Sequence, residues 1–218
     1  TGLALGLAIS GNNVFVEFNF AGLIYLGLDQ IFNQAHKYNE MMNTELPLSL
    51  TYILPTGTRG GLAGHHSDNP YALTMHLGIP SYMPASSKDV HLIMERLQAQ
   101  SRPTALYLPV ASFQSSIEPI EELNANNFGF YKVRNGSGFI IVCTGTTLPS
   151  ILQVLDSQTS CVPTLYVLTD LSFRTDTINR IKEKISGQQL LFIDDSFYQC
   201  GLAQYFQSLV SAEYWLEP

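Results

Sequence analysis

Residues 14–38 read VFVEFNFAGLIYLGLDQIFNQAHKY, and the change of period inside this stretch decides the fold class. Over 14–20 the polar Glu17 and Asn19 alternate with apolar neighbours in a segment rich in β-branched and aromatic residues, which predicts a strand. From 23 to 38, Leu28, Ile31, Phe32 and Ala35 recur at helical spacing, which predicts a helix. The chain then repeats this strand-and-helix unit. Residues 48–54 (LSLTYIL) read as a strand ended by Pro55, 71–77 as a short helix with Pro70 at its first position, and 81–85 as a strand. Residues 89–98 read as a helix capped by Ser87, and 104–108 as a strand. Residues 111–137 break the pattern. They hold Glu118, Glu121, Glu122, NANN and RNGS, and read as a linker with a short hairpin or edge strand at 128–133. A second run follows: strand 138–142, helix 148–155, strand 164–168, helix 175–185, strand 190–193 and helix 200–209. The expectation is an α/β protein with two parallel-sheet domains, 1–110 and 138–218, joined by the linker 111–137.

Composition narrows the function. Of 218 residues, 13% are charged against 45% hydrophobic, and the charged share is about half the ~25% usual for globular domains. A surface short of charge predicts that part of it is covered by another subunit. The net charge is −7 with no basic stripe, which argues against nucleic-acid binding. Cys143, Cys161 and Cys200 are odd in number and widely spaced, so neither a disulfide framework nor a zinc pair is expected, and a reducing compartment is. No apolar run reaches the ~20 residues of a membrane span. The opening TGLALGLAIS lacks a basic leader and reads as a small-residue core helix entered without a cap, as in a chain clipped at its start.

With these elements placed, an ordered series of motifs stands out. GLALGLA (2–8), VFVEFNF (14–20), LDQIFNQAHKY (28–38), GGLAGHHSDNPYA (60–72) and GIPSYMPASSKDVHLIM (78–94) together resemble the pyrimidine-binding domain of beta subunits of thiamine-diphosphate-dependent 2-oxo acid dehydrogenases. YVLTDLSFRTD (166–176) and LLFIDDSFYQCGLAQYF (190–206) are similar to the C-terminal domain of transketolase-like proteins. Each piece alone is weak, and the order over most of the chain is specific. The resemblance implies a pyrimidine-binding domain lacking its N-terminal part, then a transketolase C-terminal-type domain. It also implies thiamine diphosphate and Mg2+ held mainly by a separate alpha subunit, a second beta subunit, and a lipoyl acyltransferase core as a further partner. The location it implies is the cytoplasm of a bacterium or the mitochondrial matrix. The chain carries no GDG…N metal motif and no P-loop, and no metal-ligand residue is assigned.

His66 is the catalytic candidate. A histidine on a glycine-rich loop reaches a cleft easily, and its residue type exchanges protons near neutral pH. The resemblance places it at the family's active-site histidine, where it would steady an oxyanion or pass a proton during acyl transfer. A plain surface-loop histidine is the other reading, and His65 takes the role if the loop register slips. Leu23 falls near the family's aromatic residue on the aminopyrimidine, so it is expected to line that pocket without ring stacking. The family's cofactor-activating glutamate corresponds to a point about three residues ahead of Thr1, and Glu17, within a strand, is no substitute. Ile53 stands where the family has an arginine, and AQSRP (99–103) where it holds a monovalent cation. Arg59 reads as a solvated loop charge or a carboxylate partner. Asp29 and Gln30 read as helix-start residues, with a subunit contact as the alternative. Asp194 and Asp195 resemble an interface turn, Ser67 reads as loop support, and His36, His76 and His91 read as structural. A beta-type enzyme subunit is the first function reading. A non-catalytic beta-like interaction protein, favoured by Leu23, Ile53 and the altered cation segment, is the rival. A fragment of a single-chain transketolase-like enzyme is the third.

Overall fold

The computed structural model describes residues 1–57, 62–111, 117–157 and 162–211. The α/β class is borne out, with two four-stranded sheets. The first contains β1 (Val14–Glu17), β2 (Leu50–Thr56), β3 (Ser81–Tyr82) and β4 (Thr104–Pro109), in the order β1-β2-β4-β3 and parallel throughout. The second contains β5 (Phe130–Arg134), β6 (Ile140–Thr144), β7 (Thr164–Leu168) and β8 (Leu190–Ile193), in the order β5-β7-β6-β8, with β6, β7 and β8 parallel. Its edge strand β5 is antiparallel to β7, so part of the segment 111–137 belongs to the second sheet. The central strands β2 and β6 are near-continuous buried runs, as a sheet covered on both faces requires.

Helices cover the sheets: α1 (Gly2–Ile9), α2 (Tyr38–Met42), α3 (Tyr71–His76), α4 (Ser87–Gln98), α5 (Leu148–Asp156), α6 (Thr175–Ile185) and α7 (Leu202–Ser211). On α6 the residues Thr177, Ile181 and Ile185 are buried at four-residue spacing, the stripe of an amphipathic helix. The largest core cluster runs from Ala4 of α1 and Tyr52 of β2 to Val142, Leu168 and Phe206 of the second unit. Burial of each such large apolar side chain contributes roughly 1.5–3 kcal/mol. The units are also stitched by backbone: Tyr82 and Asp170 form an antiparallel bridge, Met83 N–H donates to Thr169 at 2.8 Å, and Leu171 N–H donates to Ser81 at 2.9 Å.

Several expected boundaries move. The strand over 14–20 ends at Glu17, and the strand over 81–85 keeps only two residues. Pro55 does not end its strand; it lies inside β2, opposite Leu108. Ile53 accepts from Phe18 N–H on the β1 side at 2.9 Å, so Pro55, two residues on, aims its missing donor to the side where β1 has run out. The helix over 23–38 is not one helix. A 3-10 turn (Ala21–Gly27) leads into a π-helical segment (Asp29–His36) and then α2. The Asp29 carboxylate accepts from Asn33 at 3.0 Å and from Gln34 at 3.4 Å, the second reaching five residues as a π turn does. The cap of α4 is Ser86 rather than Ser87. The Ser86 hydroxyl accepts from Asp89 N–H at 3.2 Å and the Asp89 carboxylate accepts from Ser86 N–H at 3.0 Å, a reciprocal capping box. Pro70 precedes α3 as its cap rather than its first residue.

Candidate functional site

Three segments far apart in sequence meet at one end of the sheets: the 3-10 turn after β1, a single 3-10 turn at Gly64–His66, and the turn after β8. Phe20, in extended conformation, ends the approach to the first turn. Its ring centroid lies 4.3 Å from that of His66 and 5.9 Å from that of His65, and the two imidazoles are 4.0 Å apart. Gly22 makes the approach possible, because a Cβ there would lie 2.6 Å from the His65 carbonyl oxygen. Leu23 follows it, half-buried, with its N–H donating to the Phe20 carbonyl at 3.1 Å. The turn that carries Leu23 thus lies against the turn that carries His66, through Phe20 and Gly22.

His66 is half-buried and its N–H donates to Ala63 at 2.9 Å, whereas His65 is exposed. Among the described residues, the buried Nδ1 of His66 has no hydrogen-bond partner. A buried polar nitrogen left unpaired is costly, and it marks where a ligand's polar edge would fit. Beside it, the Tyr25 hydroxyl hydrogen-bonds the Asp68 carboxylate; burial first, and then that carboxylate, push its pKa up to about 12. The loop is held from below. Tyr107 donates to the Pro70 carbonyl at 3.2 Å and meets Tyr71 edge-on at 4.9 Å. Burial raises both phenols, so they act as neutral hydrogen-bonding groups. A cavity of about 320 Å³ is lined jointly by the histidine loop and by Asp195, Ser196 and Phe197.

The other singled-out residues lie elsewhere. Glu17 is exposed at the end of β1. Ile53 packs against the cluster of Tyr82, Ile93, Leu97, Leu106 and Phe128. In the segment 99–103, Ser101 accepts from Leu48 N–H at 2.8 Å. His36 is lowered by burial, against a hydrogen bond to the Leu77 backbone. His91 pairs with Glu95 at 3.3 Å on an exposed face, and His76 shares a cavity wall with Cys200. Cys143 is fully buried, which pushes its thiol up and leaves it inert. Arg59 and Cys161 lie outside the described residues. Among the described residues, no cluster of three or more His, Cys, Asp or Glu can hold a metal ion, and no helix is long and apolar enough to cross a membrane. Phe20, Gly22, Tyr25, Asp68 and Asn69 were not singled out by sequence. The glycine before Leu23 and the Asp-Asn pair after His66 were the signals at hand.

Comparison with known proteins finds sequence relatives and a fold neighbour. The chain is 25% identical over 161 residues to the pyruvate dehydrogenase E1 component subunit beta of Leifsonia xyli, covering 71% of this chain and 47% of that protein. It is 24% identical over 217 residues to the pyruvate dehydrogenase E1 component subunit beta of Rickettsia felis, covering 97% and 66%. It is 28% identical over 123 residues to the mitochondrial 2-oxoisovalerate dehydrogenase subunit beta 2 of Arabidopsis thaliana, covering 56% and 34%. The chain thus spans between 34% and 66% of the length of these relatives. No protein-family model matches it. Among solved structures it resembles a split-gene transketolase, an inactive beta4 tetramer, with TM-score 0.72 at 14% identity over 98% of this chain and 67% of the other, a likeness of fold. The resemblance read from the motifs is therefore also carried by curated relatives, and the fold is transketolase-like.

Proposed function

We propose that this chain, whose curated relatives are beta subunits of 2-oxo acid dehydrogenases, works as a beta-type subunit of such an enzyme. It pairs with an alpha-type subunit and a second copy of itself, decarboxylates a 2-oxo acid and passes the acyl group to lipoamide. The observation that carries this is the convergence of the Leu23 turn and the His66 loop, enforced by the contact of Gly22 with the His65 carbonyl. Phe20 and Leu23 offer an apolar wall, and the unpaired Nδ1 of His66 offers a polar edge. That combination fits a flat heteroaromatic ring such as the aminopyrimidine of thiamine diphosphate. When bound, the cofactor supplies the nucleophilic carbon and the electron sink for loss of CO2, and the alpha-type subunit holds its diphosphate and Mg2+. Leu23 orients the ring by contact. The His66 imidazole donates a hydrogen bond to the substrate-derived oxyanion or hands on a proton during acyl transfer.

Ile53 supports a second reading. It is packed against an apolar cluster and supplies no charge at the position where the motif resemblance implies an arginine. On that reading the chain keeps the fold and binds a partner without turnover. Affinity purification of the full-length protein from its source cells, with mass spectrometry of co-purifying chains, separates the two. A stoichiometric partner bearing a GDG…N motif is expected, and the reconstituted pair supplied with thiamine diphosphate and Mg2+ should decarboxylate a 2-oxo acid, with the disulfide of added lipoamide as the two-electron acceptor. His66→Ala should then lower kcat by about 100-fold or more. Recovery of the chain alone, or of partners without that motif, sinks the enzyme-subunit reading.

A further inference from the structure

The loop that carries His66 leaves β2 at Thr56 and rejoins the fold at Asn69, and both of its feet meet on one side chain. Asn69 Oδ1 accepts from the Thr56 hydroxyl and from the N–H of Gly57, the latter at 2.8 Å. Asn69 Nδ2 donates to the backbone carbonyl of Asp195 at 3.1 Å, which lies 126 residues away on the turn after β8. That turn is itself fixed: the Asp195 carboxylate accepts from the Thr146 hydroxyl at 2.8 Å and from the Tyr71 hydroxyl at 3.3 Å. Asn69 is buried, at 6% exposure, so these bonds are shielded from competing water. Gly57 has φ of 94°, and a Cβ there would lie 3.3 Å from the Thr146 methyl, so the first foot of the loop also rests on the second unit.

We infer that Asn69 and Asp195 are positioning residues, a pin by which the second unit sets the orientation of the His66 loop. This deepens the function proposed above and rests on it for its catalytic consequence. Neither residue needs to touch substrate. Asn69 closes the base of the loop, and Asp195 holds that base to the second sheet. The two units are joined independently at a different place, where the Ser172 hydroxyl accepts from Ser81 N–H at 2.7 Å and donates to Ser81 O at 3.2 Å, which provides a control.

The test reads the imidazole of His66 directly by nitrogen-15 and proton NMR of the full chain, with its signals assigned by their loss in His66→Gln. Asn69→Ala should shift and broaden the His66 signals, whereas Ser172→Ala should lower the unfolding midpoint and leave them in place. Should Asn69→Ala fail to fold, Asn69→Asp keeps an acceptor at the loop base and replaces the donor to Asp195 by a carboxylate oxygen, and it too should move the His66 signals, including at a pH low enough to protonate that carboxyl group. Asp195→Ala should act in the same direction and Asp195→Asn, which retains a carbonyl acceptor, should restore the wild-type spectrum. His66 signals unmoved in Asn69→Asp and Asp195→Ala overturn the inference whatever the loss of stability. In the reconstituted enzyme, Asn69→Asp should lower kcat about tenfold or more with a smaller change in KM, since misplacing a catalytic group by about 1 Å costs on the order of 100-fold. If no active pair can be reconstituted from wild type, the proposed function fails, while the spectra still decide the pin.

Discussion

The Phe20 ring and the His66 imidazole lie 4.3 Å apart, centroid to centroid, with their planes inclined by 47°. This contact ties the end of the first strand's extension to the glycine-rich loop and packs a ring against the His66 imidazole. Phe20→Leu keeps apolar bulk and removes the ring. It should cost about 1 kcal/mol in urea unfolding, the range of an aromatic pair beyond its buried area, and it should increase proteolysis at the loop.

Gly22 has no room for a side chain toward the loop. Gly22→Ala places a methyl 2.6 Å from the His65 carbonyl oxygen, which is backbone and cannot swing away. A loss of about 1–3 kcal/mol is expected, as for other overpacked sites, together with altered His65 and His66 NMR signals. An unchanged unfolding midpoint contradicts this close approach of the two turns.

Asp170 is fully buried and accepts from Arg174 at 2.8 Å, from the Thr177 hydroxyl at 2.8 Å and from Ser172 N–H at 3.0 Å. Arg174 keeps a second partner in Asp176 at 3.3 Å, so Asp170→Ala removes its closer partner and leaves the Thr177 hydroxyl and the Ser172 N–H without their acceptor. The expected cost is about 3 kcal/mol, measured by chemical denaturation, and both sheets should melt in one transition because Asp170 also forms the bridge to Tyr82.

Asp195 gives a pH signature. Burial raises its pKa above the ordinary 3.8, the hydrogen bonds from Thr146 and Tyr71 oppose the rise, and neighbouring Asp194 adds to it. A carboxyl group raised on folding binds its proton more tightly in the folded state. Its stabilising contribution is present below 3.8 and is lost as pH rises through the folded value. Relative to Asp195→Asn, which does not titrate, wild type should gain stability as the pH is lowered from about 7 towards about 4. A Tm difference independent of pH across that window refutes the assignment.

Periodicity along the chain sets the α/β class, the order of most strands and helices, and the two runs of alternation. Each segment shows its period without reference to any other: β7 at Thr164–Leu168, α6 at Thr175–Ile185 and β8 at Leu190–Ile193 stand where the pattern predicts them. The sequence also marked His66 and Leu23, through a resemblance in motif order. Local chemistry was harder to read where two residue types compete. Ser86 and Ser87 are equally good caps by type, and only the reciprocal bond with Asp89 distinguishes them. Pro55 reads as a strand breaker until the neighbouring strand is seen to end beside it. The break of the expected long helix into 3-10, π and α pieces is likewise invisible to spacing, because Gly22 and Gly27 are set by what they pack against. The approach of the Gly22 turn to the His65 carbonyl, and the bond from Asn69 to Asp195 across 126 residues, come from tertiary structure. Periodicity reports which face of an element is buried. It carries no information on which distant carbonyl will lie within hydrogen-bond reach, since that depends on how the two sheets share a core.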